Sequence, residues 1–384
     1  MKLTTTILFV FFSYAIHAQN AFQARTTGSF PYLKYGLGTD RLGGAKMTHL
    51  DTNVLVTVID SVGNDYKVQL SGKHTAYLPK YHARRDDSAK QQNPVLTSSW
   101  RVWGDSGYDY VAVGLSERLP YRSLQQINPS RIVVDVFGAA SNTNWITQLK
   151  TVKEIKHVWY EQAEDDVFRI FIELKHAQHW GHAIFYKNNT LQIRIKQQPS
   201  SLKLKGLKIA IDAGHGGSST GATGLVSGIA EKDYTLKMAK QLEKYLRRKK
   251  AKVYMTRTED LDLSMNERLL ALQQEQPDLL ISIHLNSSSN KSVKGVSTYY
   301  RHIGFRPLTE HILDRMLELD LNNFGNVGSF NFSLSGPTEY PNCLVEVAFL
   351  SNAEDEQLIL KDSFHRQTAE KIGKGINDWL KSLR

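Results

Sequence analysis

From Lys208 to the C-terminus, short apolar runs alternate with stretches in which apolar residues recur every three or four positions. Lys208–Asp212, Val253–Thr256, Leu279–Leu285, Val296–Tyr300 and Cys343–Leu350 read as strands. A helix is predicted from Glu231, with Leu236, Ala239, Leu242 and Leu246 on one face. Others follow Ser264, span Pro307–Asn322 and run to the C-terminus. Ser264 with Glu267 makes a capping-box pattern, and Pro307 suits a first helical turn. Such alternation predicts an α/β domain, a sheet with helices on both faces.

Upstream the pattern is different. VLVTVIDSVGNDYKVQL (54–70) reads as two strands around a turn at Gly63–Asn64, and DYVAVGLS (109–116), RIVVDVFG (131–138), VFRIFIELK (167–175) and LQIRIK (191–196) as further strands. Helical periodicity is scarce there. Two apolar-poor stretches, RRDDSAKQQNP (84–94) and QQPSSLKLK (197–205), read as linkers. A chain of 384 residues exceeds what one core supports. The expected organisation is therefore multidomain, with β-rich modules at 19–86 and 95–198 preceding an α/β domain at 205–384.

Four polar residues interrupt the apolar pattern where strands end or helices begin: His215 in IAIDAGHGG, Glu231 in IAEKD, His284 in LLISIHLNS and Glu346 in CLVEVAFLSN. Ligands of open α/β sheets gather at the carboxyl ends of strands. Alternation along Leu279–Leu285 puts Ser282 and His284 on one face and Ile281, Ile283 and Leu285 on the other. A polar group in such a strand is costly to bury unless a metal or hydrogen bond satisfies it. Two imidazoles and a carboxylate can hold zinc with a position left for water, and a further carboxylate can act as general base. Each residue alone has a blander reading: a first-turn glutamate such as Glu231 suits the helix dipole. The other ten histidines beyond the first 18 residues lack a comparable setting, with His302 a candidate for substrate contact.

The order of these residues, together with GATG (221–224), TR at 256–257 and Glu267–Arg268, resembles the zinc-dependent N-acetylmuramoyl-L-alanine amidases. The resemblance covers the chain from about Leu207. It implies that His215, Glu231 and His284 bind Zn2+ at the strand ends of a mixed sheet, and that Glu346 is the catalytic glutamate. It implies as substrate the amide between N-acetylmuramic acid and L-alanine in peptidoglycan, with a role in wall remodelling or daughter-cell separation. Ala213 and Ala348 stand where the family often has proline and glycine. The 54–70 strands with TAYLPK resemble bacterial SH3-like barrels. The NP at 128–129 before RIVVDV, with WGHAIFYKNNTLQIRI (180–195), resembles the AMIN domain, which implies a localisation partner at the wall or division site. Some of these amidases carry an inserted helix that plugs the metal. Here Pro307–Asn322 looks built for the core, and the glycine-rich 324–342 segment for lining a substrate groove.

Two other classes compete. A catalytically inactive wall-binding scaffold or activator would be expected to have lost a ligand or the glutamate, and all four are present. A zinc carboxypeptidase does not fit the motif order. The first 18 residues, with Lys2, an ILFVFF core and AIHA, read as a signal peptide, so export is expected, to the periplasm, the wall or the medium. No integral membrane span is expected after its removal. Cys343 stands alone and reads as buried filling rather than a nucleophile. The net charge of +10, or +9 once Lys2 is lost, suits an anionic polymer, and no nucleic-acid motif accompanies it.

Overall fold

The computed structural model describes residues 21–39, 42–89 and 94–384. The signal peptide expected at 1–18 lies outside the described residues. Six strands form the C-terminal sheet, in the order Lys252–Met255, Lys208–Ala213, Leu279–Asn286, Asn342–Phe349, Val296–Tyr299, Asn323–Val327. Pairing is parallel except between Val296–Tyr299 and Asn342–Phe349, which makes the sheet mixed. Period-two alternation sorts its side chains. Ile209, Ile211, Ile281, Ile283 and Val345 pack with Met238, Leu242, Ile312, Ile372 and Trp379 from the helices Glu231–Arg248, Arg306–Leu317 and Asp362–Ser382. On the opposite face Ala210 and Leu280 meet Leu269 and Leu272 of the helix Met265–Glu275, with Leu334 and Tyr340 from a loop. The Ser264 capping box forms as its sequence predicts.

Two expectations need correction. The helix over Pro307–Asn322 stops at Leu317, because Asp320 adopts a left-handed φ of 57° and turns the chain. That turn buries Leu321 and delivers Asn323–Val327 as an edge strand, so the 324–342 segment is not wholly a loop. The C-terminal helix is two helices. Asn352 caps the first, Ala353–Ile359, by accepting from the amides of Glu354 and Asp355.

Upstream, an antiparallel seven-stranded sheet includes the hairpin Leu55–Val62 with Asp65–Gln69, closed by Gly63 and Asn64. Next come a five-stranded and a four-stranded sheet between Trp100 and Lys196. One apolar cluster, from Ala24 to Ile195, runs through both β regions. Several strands escaped the sequence reading. Tyr121–Ile127, for example, carries Arg122, Ser123, Gln125 and Gln126 and pairs on only one side.

The stretch 197–205, expected as a linker, is tied down. Leu204 is buried in the C-terminal core. Further upstream, Trp180 enters the same core and packs on Trp379 with ring centroids 5.1 Å apart. Trp379 Nε1 donates to Gln178 Oε1 (3.0 Å), and Gln178 Nε2 donates to Gly304 O (2.8 Å). His182 N donates to Thr338 O at 2.7 Å. Trp180→Ala should therefore cost about 3–5 kcal/mol, the usual loss for a buried tryptophan. Urea unfolding measures it, and a loss below about 1 kcal/mol would show that this contact does not hold the β-rich and α/β parts together.

Candidate metal centre

The strand Lys208–Ala213 ends in a sharp turn. His215 has φ of 61°, in the left-handed region that non-glycine residues seldom occupy, and Gly216 and Gly217 follow with positive φ. Two buried arginines hold this turn. Arg257 donates from Nε to Ala213 O (3.0 Å) and from Nη2 to Gly214 O (2.9 Å). Arg268 donates from Nη1 to Ala213 O (3.0 Å) and from Nη2 to His215 O (2.5 Å). Thr235 Oγ1, on the helix that Glu231 opens, donates to Gly214 O at 2.7 Å.

Beneath the turn Asp212 and Arg268 form an ion pair of 2.6 Å, each side chain 1% exposed. Ser282 and Thr256 each donate to Asp212 at 2.7 Å. Burial alone would raise the Asp212 pKa, but Arg268, His284 and the two hydroxyls hold it below the usual carboxylate range. Asp212 thereby joins three adjacent strands and the Met265–Glu275 helix.

Glu231 is the first residue of its helix and is buried. Its carboxylate bridges two imidazoles, Oε1 to His284 Nδ1 at 3.1 Å and Oε2 to His215 Nε2 at 3.2 Å. Backbone amides aim it: Leu285 N donates to Oε1 (2.9 Å) and Ala222 N to Oε2 (2.8 Å). Burial opposes charge on Glu231, yet the two imidazoles keep its pKa well below the ordinary range. Burial likewise opposes charge on His284, but Glu231, Glu346 and Asp212 outweigh it and raise the ring to about 9.

The three side chains can each offer a ligand atom with all such atoms within 4.8 Å of one another. Two further observations fit a metal. His284 Nε2 is buried without a hydrogen-bond partner. A Cβ on Gly214 would come within 2.6 Å of that nitrogen, and one on Gly221 within 2.5 Å of Glu231 Oε2, so both glycines keep space beside the donors. Glu346 lies next to this group. In the register of the sheet it is the direct partner of His284, and it faces Ser297 on its other side.

The remaining candidates fall elsewhere. His302 is half-buried, donates from Nε2 to Gly336 O at 2.9 Å, and burial lowers it to about 4. Cys343 is buried, which pushes its thiol up. Glu310 and Glu318, the carboxylates of the Pro307–Asn322 stretch that could in principle plug a metal, are taken up elsewhere: Glu310 pairs with Arg306, and Glu318 with Arg315 and Lys371, so neither belongs to the metal group. Asp212, Arg257 and Arg268 enter the sequence analysis only as members of motifs, with no role assigned, although two arginines amid apolar elements are a signal for buried charge. Glu356 was missed too. It is fully buried and accepts from Val226 N and Ser227 N, both at 2.9 Å, fixing the loop before Glu231.

Residues 209–378, which hold all of this geometry, match the model of the N-acetylmuramoyl-L-alanine amidase family. The C-terminal domain belongs to that family. Residues 99–201 match the AMIN domain, so the amidase domain follows an AMIN domain in this chain. Among curated relatives, the "Probable cell wall amidase LytH" of Staphylococcus epidermidis is 33% identical over 197 residues, covering 51% of this chain and 66% of that protein. Its Staphylococcus aureus counterpart is 36% identical over 171 residues, covering 44% and 56%. The chain thus spans less than two thirds of the length of these relatives. Solved structures with a similar sequence include the N-acetylmuramoyl-L-alanine amidase of Clostridium difficile 630, 30% identical with a TM-score of 0.45. That likeness covers 46% of this chain and 98% of that one. The catalytic domain of CwlV from Bacillus (Paenibacillus) polymyxa is 29% identical with a TM-score of 0.44, covering 46% and 99%.

Arg268→Met would leave the Asp212 carboxylate buried without its cation. The expected loss is about 3–5 kcal/mol, measured by urea unfolding of the full chain. A variant as stable as the parent would mean that the pair does not hold the His215 turn.

Proposed function

We propose that the chain is a zinc hydrolase that cleaves the amide between N-acetylmuramic acid and L-alanine in peptidoglycan. The observation that carries this reading is the convergence of His215, Glu231 and His284, with Glu346 as the sheet neighbour of His284, inside the segment that matches the amidase family. His215, Glu231 and His284 would hold the metal. Zinc bound there supplies Lewis-acid polarisation of the amide carbonyl and acidifies a coordinated water.

The remaining steps belong to the chain. Glu346 takes a proton from the attacking water and returns it to the departing amine of L-alanine. Glu231, aimed by the amides of Leu285 and Ala222, keeps both imidazoles oriented. We read the chain as an exported protein with a signal peptide at 1–18, an SH3-like domain at 19–86, an AMIN domain at 95–198 and the catalytic domain at 205–384. The N-terminal modules would place the enzyme on the wall. Among the described residues no helix is long and apolar enough to cross a membrane.

Mass spectrometry of purified peptidoglycan after incubation with the protein should show free stem peptides beginning with L-alanine. Intact muramoyl peptides throughout would sink the assignment. Glu346→Gln should retain zinc and lose at least about a hundredfold in kcat, the lower range for a general base. His284→Ala should lose metal and activity together, and a chelator should silence the parent enzyme until zinc is restored. Equal zinc loss in both variants would show that the base is misassigned.

Because Glu310 and Glu318 are engaged in surface ion pairs, basal activity is expected without an activator protein. A basal rate near zero that climbs steeply on adding a partner would overturn that.

A further inference from the structure

Lys46, in the N-terminal sheet, and Arg301, just past the strand Val296–Tyr299, meet on the segment Asn331–Ser333. Lys46 N and Arg301 Nη1 each donate to Asn331 Oδ1 at 3.2 Å, and Arg301 Nη2 donates to Lys46 O. Lys46 Nζ donates to Ser333 Oγ at 3.2 Å. Between those anchors sits Phe332, whose ring stands edge-on to His284 with centroids 5.5 Å apart. The two cations therefore flank the residue that packs on a proposed zinc ligand.

Both cations are half-buried, and among the described residues neither forms an ion pair with a carboxylate. Burial, with Arg301 alongside, lowers Lys46 to about 8, and burial lowers Arg301 as well. His49 and His302 share with them the lining of a cavity of about 170 Å³. Asp51 and Glu339 line it too. Asp51 is occupied by the amides of Thr52 and Tyr186, at 2.8 Å each, and burial pushes Glu339 up towards its neutral form. Two positive charges are thus taken partly out of water together, an arrangement that costs free energy until an anion joins them.

We propose that Lys46 and Arg301 form an anion subsite that binds a carboxylate of the peptide part of the substrate. A guanidinium held on Asn331 and an ammonium held on Ser333, both lining one cavity, suit charge-assisted bonds to a carboxylate. This proposal rests on the muramoyl-amidase reading, which places the scissile amide beside His284, the ring that Phe332 packs against. It makes the N-terminal module part of the substrate site.

The experiment uses the full chain with zinc and a set of muramoyl-L-alanyl peptides, each with one carboxyl converted to the carboxamide. The parent enzyme should lose about tenfold in kcat/KM on one amidated member, the scale of a charge-assisted hydrogen bond. In Lys46→Met the ratio between free and amidated forms of that member should fall towards one, and Lys46→Arg should restore it. A parent enzyme indifferent to every amidation overturns the subsite. So does a Lys46→Met variant that slows all substrates equally, which would make Lys46 a structural staple. Calorimetric titration of the free stem peptide and its amidated form into parent and Lys46→Met separates the two readings. If no muramoyl peptide is hydrolysed, the amidase reading fails, while a tenfold binding preference lost in Lys46→Met still supports the anion site.

Discussion

The buried pair of Asp212 and Arg268 is the interaction on which the site depends. Asp212 ends the apolar part of the strand Lys208–Ala213, and the next three residues must turn sharply to present His215. A non-glycine residue at positive φ is strained, and strain persists only where surroundings over-determine the backbone. Here the carbonyls of residues 213, 214 and 215 all accept from Arg257 or Arg268. An arginine buried for that purpose needs a counter-charge, and Asp212 supplies it at 2.6 Å. Asp212 is in turn held by Ser282, two residues before His284 on the same face of its strand. One carboxylate thus sets the spacing between the two imidazoles, and Glu231 closes the triangle from the far side.

This arrangement explains which parts were legible in the sequence. Motif residues near strand ends stand out because they break a regular apolar pattern, and His215, His284 and Glu346 all do so. Their convergence follows from the parallel register of neighbouring strands, in which His284 and Glu346 are direct partners. Helix and strand existence in the C-terminal domain was legible for the same reason, since burial on both sheet faces leaves near-continuous apolar runs. Boundaries were less so. Leu319 and Leu321 keep an apolar rhythm after Leu317, but they cover the core from a turn rather than a helix.

Roles that depend on contacts far apart in the chain could not be read locally. Asp212 and Arg268 are 56 positions apart, and nothing near Arg268 distinguishes it from a surface arginine except its apolar neighbours. Trp180 reads as part of a β module, yet it is buried in the α/β core against Trp379. The polar composition of 197–205 suggested a free tether. Composition reports only how much a segment can bury, and a single leucine at 204 suffices to pin it.

The wall of the site facing the N-terminal module shows the same limit more sharply. The glycine-rich 324–342 segment has enough conformational freedom to take many shapes, so its sequence specifies little about its path. Its path is set instead by partners. Asn331 receives the amide of Lys46 from 285 positions away, and Phe30 packs with Leu334 and Tyr340 in the small cluster under the sheet. With Asn331 and Ser333 fixed from both sides, Phe332 has little choice but to stand against His284. A candidate metal centre whose proposed ligands all lie in one domain therefore borrows part of its enclosure from another. Removing the N-terminal sheet would leave every proposed ligand in the chain and still free the segment that shapes the approach to them.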